Sequence, residues 1–149
     1  MNRILILVNI TGLIIGISYG LHGPILPIFA KNVIGATYSE LGLIGLTNFI
    51  PYMFIPLFVG ILLDRVNNGY LLSIVAAINS ASVYLLSIAQ SVPEIMGFRI
   101  MTGRAHAFFW PPCEAIISNE SSEKNRVKHI SWFTMFFVIG FMVGPLLGT

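Results

Sequence analysis

Charged side chains are scarce in this sequence. Lys, Arg, Asp and Glu make up 9% of its 149 residues, against roughly 25% in an ordinary soluble domain. A soluble fold of this size needs a charged outer shell to remain dispersed. Here 56% of the residues are hydrophobic and the mean hydropathy is +0.85. We therefore expect lipid, rather than water, to be the main solvent of this chain.

Other absences exclude whole classes of function. The single cysteine, Cys113, rules out an internal disulfide or a cysteine-based metal cluster, and its apolar surroundings favour a packing role. The net charge of +2 is scattered, whereas nucleic-acid binding needs a clustered basic face. The sequence also has no HExxH motif, nucleophile elbow or GxxxxGK[ST] loop. We predict that the protein is not an enzyme, binds no nucleic acid and uses neither a metal nor another cofactor.

Long apolar stretches dominate what remains. A helix of roughly 20 residues crosses a hydrocarbon core of about 30 Å, and helices satisfy their own backbone hydrogen bonds in lipid. The first stretch, at about 27 residues, is too long for the core of a cleaved signal peptide, the alternative interpretation. The sequence thus predicts an all-α integral membrane protein with about five transmembrane helices, at residues 4–30, 41–63, 70–92, 95–118 and 129–149.

Basic residues in the short connections predict the orientation. Lys and Arg in such loops stay on the cytoplasmic side. With a cytoplasmic N-terminus, only Lys31 faces outward. The basic residues that then lie inside are Arg3, Arg65, Lys124, Arg126 and Lys128. We expect a multi-pass protein of the cell membrane with its N-terminus in the cytoplasm.

The connection after the second span carries a recognisable motif. It reads Gly-Ile-Leu-Leu-Asp-Arg-Val-Asn-Asn-Gly-Tyr-Leu-Leu from residue 60 to residue 72. This resembles the loop motif GxLaDRxGRxxxL of the major facilitator superfamily, matched by Gly60, Asp64, Arg65 and Leu72. Asn67 replaces a glycine, a mild change because Asn also tolerates left-handed backbone, and Asn68 replaces a basic residue. The resemblance implies that Gly60, Asp64 and Arg65 take part in gating.

Two further segments strengthen the resemblance. Residues 99–107 are similar to the family pattern RxxQGxGAA, with Thr102 in place of Gln. Residues 140–149 resemble the GxxxGPxxGG pattern of drug/proton antiporters. The matching residues of this helix-packing motif are Gly140, Gly144, Pro145 and Gly148. A stripe of glycines in the first span also predicts close helix contact, and its members are Gly12, Gly16, Gly20 and Gly23.

The resemblance implies a fold and a function. The chain would form five helices of the N-terminal half of a major facilitator fold, with the sixth helix and the C-terminal half absent. We expect secondary active transport of a small molecule, as proton-coupled efflux by alternating access. The partners would be the lipid bilayer, the substrate with its coupling proton, and the missing half. The alternative is a small membrane protein that acts by assembling with a separate partner half.

Polar residues inside the spans are candidates for the transport pathway. A charge at a membrane helix centre costs about 2.5–3.5 kcal/mol on insertion scales, so such residues need protein or water around them. The candidates are Tyr19, His22, Asn48, Tyr52, Arg99, His106, Trp110 and Glu114. Snorkelling explains Arg99 and Glu114 as an alternative, and packing or interhelical hydrogen bonds explain the others. At 100° per residue, one face of the fourth span carries Arg99, His106, Trp110 and Glu114. Arg104 points nearly opposite and receives no role.

Overall fold

The fold of the chain is entirely helical in the part that the structure describes. The structure is a computed structural model that describes residues 2–147, a range without strands. Gly148 of the predicted packing motif therefore lies outside the described residues. The helices are α1 (Arg3–Asn32), α2 (Tyr38–Leu63), α3 (Asn68–Ser87), α4 (Val92–Glu120) and α5 (Glu123–Leu147). The predicted all-α class is confirmed.

Most of these helices suit a membrane. Within residues 2–147, α1, α2, α3 and α5 are long and apolar enough to cross one. Helix α4 is not among them, since it carries Arg99, Arg104 and Glu114. Large apolar side chains point outward from the helices, among them Leu57 and Met142, which are 72% and 69% exposed. Such a surface is soluble in lipid and not in water.

The first turn of α3 corrects one detail of the sequence analysis. Asn67 is the N-cap of α3, and its Oδ1 accepts hydrogen bonds from the backbone N–H groups of Gly69 (2.9 Å) and Tyr70 (3.2 Å). Its φ of −61° is not left-handed. The expectation that Asn67 replaces glycine by tolerating left-handed backbone is wrong, because the amide is used for capping instead.

The connection between α3 and α4 lies earlier than the sequence suggests. Helix α3 ends at Ser87, and α4 begins at Val92 rather than near residue 95. The Glu94 carboxylate accepts a hydrogen bond from the Gln90 N–H at 2.9 Å. Pro93 lies in the first turn of α4, where a missing N–H costs no helical hydrogen bond. Proline thus starts this helix instead of forming the turn before it.

Helix α5 also begins earlier than predicted. It starts at Glu123, whereas the apolar pattern predicts residue 129. The N–H groups of Asn125 and Arg126 both donate to the Ser122 carbonyl, at 2.9 and 3.0 Å. Consequently Lys124 and Lys128 lie on the first turns of a helix and not in a loop. Their directions around the helix axis are therefore defined.

The chain divides into two compact units, and the first comprises residues 1–26 and 113–149. Its described part packs α1 closely against α5. A Cβ atom added to Gly16 would overlap the carbonyl oxygen of Phe137, and one added to Gly140 would overlap that of Leu13. Gly20 and Gly144 approach each other in the same way. Only residues without side chains allow the two backbones to lie this close.

The second unit comprises residues 27–112. Within it, α2 and α4 also make a close contact. A Cβ atom added to Gly103 would overlap the carbonyl oxygen of Asn48 and would lie 3.1 Å from the Pro51 Cγ. The absence of a side chain at Gly103 therefore brings the neighbouring residues of the two helices within hydrogen-bonding distance.

Candidate functional site

Helices α2 and α4 join through polar side chains in the unit of residues 27–112. The Thr102 hydroxyl lies 3.0 Å from the Asn48 Oδ1 and can donate a hydrogen bond to it. One turn further along, the rings of Tyr52 and His106 lie 6.3 Å apart. Arg99 lies one turn before Thr102, and its carbonyl oxygen is 2.9 Å from the Thr102 hydroxyl. We call these five residues the α2–α4 polar cluster. It brings together four of the predicted pathway residues.

The spacing of these residues along the two helices explains the cluster. Asn48 and Tyr52 are four residues apart, and so are Thr102 and His106, so each pair lies on one helix face. Arg99 precedes Thr102 by three residues on the same face of α4. Gly103 lies in the middle of this face and permits the close approach. Helical periodicity and the glycine at position 103 together account for the cluster.

Burial makes the cluster energetically significant. Thr102 and Asn48 are 0% and 6% exposed, and His106 is 4% exposed. The Nε of Arg99 is also buried and has no hydrogen-bond partner within residues 2–147. A buried polar group that lacks a partner costs free energy, and such groups are concentrated at functional sites. Arg99 therefore has a donor directed at the protein interior.

The Asn48–Thr102 hydrogen bond makes a stability prediction. Thr102→Val keeps the shape of the side chain but removes a hydroxyl that lies 3.0 Å from the Asn48 Oδ1 and 2.9 Å from the Arg99 carbonyl oxygen. Asn48 then loses its donor from α4. We expect the free energy of unfolding in detergent to fall by about 0.5–2 kcal/mol. The matched control is Thr134→Val, because the exposed Thr134 hydroxyl donates only to Ile130 O in its own helix, at 3.0 Å. Equal unfolding free energies for both variants would contradict the prediction.

Other predicted pathway residues have different surroundings. In the unit of residues 1–26 and 113–149, Tyr19 packs edge-on against Phe137, with centroids 5.6 Å apart. The Nδ1 of His22 lies 2.6 Å from the Ser18 carbonyl, to which it donates a hydrogen bond. In the other unit, Trp110 packs edge-on against Phe109 at 6.1 Å. Aromatic packing and a hydrogen bond within α1 account for these contacts.

Glu114 and Arg104 are exposed on α4. The helical face that joins Arg99 to Glu114 in the sequence is therefore not buried throughout. Cys113 is fully buried, as expected for a packing residue. The structure gives Arg104 no polar contact that would define its role, within the part of the chain it describes.

The gating motif lies at the end of α2. Gly60, Asp64 and Arg65 are all exposed there, and an added Cβ at Gly60 would meet no atom within 4 Å. An apolar pocket of about 400 Å³ opens beside the motif. Its lining residues are Phe58, Ile61, Leu62, Arg65 and Phe108. The small residue in the motif thus leaves an open surface on α2.

The helix-packing motif lies on α5. Gly140 and Gly144 are buried against α1, and Pro145 beside them is partly exposed. Pro145 removes one helical hydrogen bond near the end of α5. These residues permit a close contact between two helices of the same unit.

Sequence reasoning missed several buried polar residues. Thr102 is noticed only as a replacement within a motif, although it is one of the most buried residues of α4. Asn9 and Asn79 are 5% and 3% exposed. Each is an asparagine in a stretch without charged residues, and an amide in such a stretch is the signal that singles them out. Within residues 2–147 no group of three His, Cys, Asp or Glu side chains is arranged to hold a metal ion.

Several long apolar helices with polar groups buried between them define a multi-pass membrane protein. The sequence profile of the Major Facilitator Superfamily matches residues 8–149. The chain therefore belongs to this superfamily, as the three motifs suggest.

Curated relatives cover almost the whole chain. The quinolone resistance protein NorA of Staphylococcus aureus (strain MRSA252) is 24% identical over 148 residues, which is 99% of this chain. An uncharacterized MFS-type transporter of Mycobacterium tuberculosis (strain CDC 1551 / Oshkosh) is 30% identical over 137 residues, or 90% of this chain. The chain spans only 38% and 32% of the length of these two relatives.

Proposed function

We propose that this chain is the N-terminal membrane part of a secondary transporter that exports a small molecule in exchange for protons, by alternating access. Membership of the superfamily supports transport, and the antiporter-like residues 140–149 support proton-coupled export. The name of one relative includes quinolone resistance, which agrees with a small organic substrate. In superfamily members the substrate binds at the midplane between two halves.

The observation that carries the proposal is the α2–α4 polar cluster. The Arg99 guanidinium has a buried Nε, which is costly within apolar helices, and ionisable residues inside membrane helices are mostly functional. We assign Arg99, Tyr52 and His106 to the proton or substrate pathway, with Asn48 held in place by Thr102. The remaining candidates for pathway contacts are Tyr19, His22, Trp110 and Glu114.

The gating motif has a separate task in this proposal. The open surface at Gly60 receives a helix of the other half, and Asp64 and Arg65 join a charge network that stabilises the outward-facing state. Asn68 stands where the motif of the superfamily has a basic residue, so this network lacks one positive charge.

We place the protein in the cell membrane with its N-terminus in the cytoplasm. The basic residues of the connections support this orientation. Single cysteines at positions 65 and 124, in a Cys113→Ser background, would be labelled from the same side of the membrane. A cysteine at position 31 would be labelled from the other side. Labelling of positions 65 and 124 from opposite sides would refute the topology.

A flux experiment tests the proposed function. Vesicles containing the product of the complete reading frame should take up or release a lipophilic dye only when a pH gradient is imposed. An Asp64→Asn variant should lose most of this flux because the gating network loses its acid. A protonophore that collapses the gradient is the control. Absence of gradient-driven flux in the unaltered protein would remove the proposal.

A second candidate is a small membrane protein that assembles with a separate partner half. In this candidate the second half of the fold is supplied by another chain. A reading frame that continues beyond residue 149 would exclude this candidate. A stop codon there, together with copurification of a membrane partner, would support it.

A further inference from the structure

The hydrogen bond between α2 and α4 uses one side of the Asn48 amide. The Asn48 Oδ1 lies 3.0 Å from the Thr102 Oγ1, which is also 2.9 Å from the Arg99 carbonyl oxygen. Neither of these two acceptor oxygens carries a proton, so the Thr102 hydroxyl acts as the donor to both. Within residues 2–147 the Asn48 side chain makes no other hydrogen bond. The oxygen of the amide is therefore occupied, and its two N–H donors remain for another partner.

Asn48 and Thr102 lie at the same depth in the predicted topology. Helices α2 and α4 begin on the same side of the membrane, because α3 alone lies between them. Each of the two residues is about 15 Å from the start of its helix, which is half of a hydrocarbon core of about 30 Å. The pair thus lies near the midplane, where members of the superfamily bind their substrates.

Burial and charge indicate what the amide can bind. Thr102 is 0% exposed and Asn48 is 6% exposed, so of the two only Asn48 can touch a substrate. Arg99 brings a positive charge to the same face of α4, one turn before Thr102. Amide donors beside a cation favour an oxygen that carries negative charge, and such hydrogen bonds are roughly twice as strong as neutral ones. An ammonium group would face donors and a like charge here.

We propose that Asn48 determines substrate specificity, because its N–H groups, oriented by Thr102, donate to a carboxylate of the substrate. This inference rests on the proposed function and names its substrate class, which is small organic molecules that carry a carboxylate. Tyr52 lies one turn from Asn48 on the same helix. Its ring offers a surface for the apolar or aromatic part of such a molecule.

The missing half of the fold offers the rival partner for Asn48. An acceptor on one of its helices would occupy the same N–H groups in the complete protein. Asn48 would then hold the two halves together, and the choice of substrate would not depend on it. Selectivity between matched ligands therefore distinguishes a substrate contact from a contact between the halves.

Two dyes that differ in one group provide the test. Rhodamine B has a free carboxylate, and in rhodamine B ethyl ester the same group is esterified. The product of the complete reading frame is placed in lipid nanodiscs, and dye binding is measured by fluorescence anisotropy, with empty nanodiscs as the control. We expect the Kd of rhodamine B to be at least about fivefold lower than that of the ester.

Asn48→Asp is the most direct variant. It keeps an oxygen for the Thr102 hydroxyl and replaces only the N–H donors, so the preference should fall to about one or reverse. Binding of the ester should persist, which shows that the variant is folded. Thr102→Val should lower the preference at least about twofold because the amide is no longer oriented, and Thr102→Ser should retain it.

Asn125→Asp is the matched control. Asn125 is exposed on the first turn of α5, so this variant adds the same negative charge away from the α2–α4 polar cluster. It should keep the preference for rhodamine B within about twofold of the unaltered protein. An equal loss of preference in Asn48→Asp and Asn125→Asp would mean a general effect of charge and would overturn the inference.

Other results would also overturn it. Equal affinity for the two dyes, tighter binding of the ester, or no binding of either dye to the unaltered protein would show that no carboxylate is selected. A preference that survives in Asn48→Asp would assign the N–H groups to the missing half. An equal loss of both dyes in that variant would mean a purely structural role. Failure of the proposed function looks different, because the binding preference would remain while neither dye moved with a pH gradient in vesicles.

Discussion

Replacing Gly16 by alanine should lower the free energy of unfolding by about 1–3 kcal/mol. The added Cβ overlaps the Phe137 carbonyl oxygen and lies 3.1 Å from the Phe141 backbone nitrogen. Backbone atoms cannot rotate away as a side chain does, so α1 and α5 must separate along their contact. The better helix propensity of alanine offsets about 0.5–1 kcal/mol of the loss.

Gly23→Ala is the matched control on the same helix. An added Cβ at Gly23 meets no atom within 4 Å, so this variant should be neutral or slightly more stable. The two variants are compared by circular dichroism during titration of dodecyl maltoside micelles with dodecyl sulfate. If Gly16→Ala resists dodecyl sulfate as well as Gly23→Ala does, the close contact between α1 and α5 is not what stabilises this unit.

Under the proposed function, Arg99→Gln should reduce gradient-driven flux of the complete protein at least about tenfold, equivalent to about 1.4 kcal/mol. Glutamine retains hydrogen-bonding capacity and much of the length, but it removes the positive charge from the buried face of α4. If charge is the essential property, Arg99→Lys should retain part of the flux. The measurement is substrate flux in vesicles with an imposed pH gradient, normalised to the amount of inserted protein.

Arg104→Gln separates this effect from a general loss of positive charge. Arg104 lies on the same helix but is exposed, outside the α2–α4 polar cluster. Its variant should keep more than about half of the flux, because replacing an exposed side chain removes no interaction of the cluster. Exchange without a gradient should survive in Arg99→Gln if this arginine couples protons. Equal losses in the two variants would disprove the special position of Arg99.

The helical class and the approximate number of helices follow from the long apolar runs of the sequence, because such runs have few other structures available in lipid. The ends of the helices are harder to predict. Asn67 caps α3 and Pro93 lies in the first turn of α4, and both functions depend on backbone geometry that hydropathy does not encode. The start of α5 is missed because its first turns are charged, although they are helical.

Part of the candidate site is also predictable. Helical spacing places Arg99, Gly103 and His106 on one face of α4. Which helix that face meets is not predictable from spacing, because it depends on the close approach of Gly103 to Asn48. Glu114 falls on the same idealised face, about four turns from Arg99. It is nevertheless exposed. Two prolines, Pro111 and Pro112, also interrupt the hydrogen bonding of α4 between them.

The charged composition of α4 has a consequence for biogenesis. As a nascent segment in the translocon, α4 must carry Arg99 and Arg104 towards the acyl chains, each at a cost of about 2.5–3.5 kcal/mol near the centre. Helix α2 is synthesised first, and its Asn48 and Tyr52 then offer α4 a polar surface within the bilayer. Lateral release of α4 should therefore depend on a helix that has already left the ribosome, so that the order of synthesis becomes part of the folding pathway.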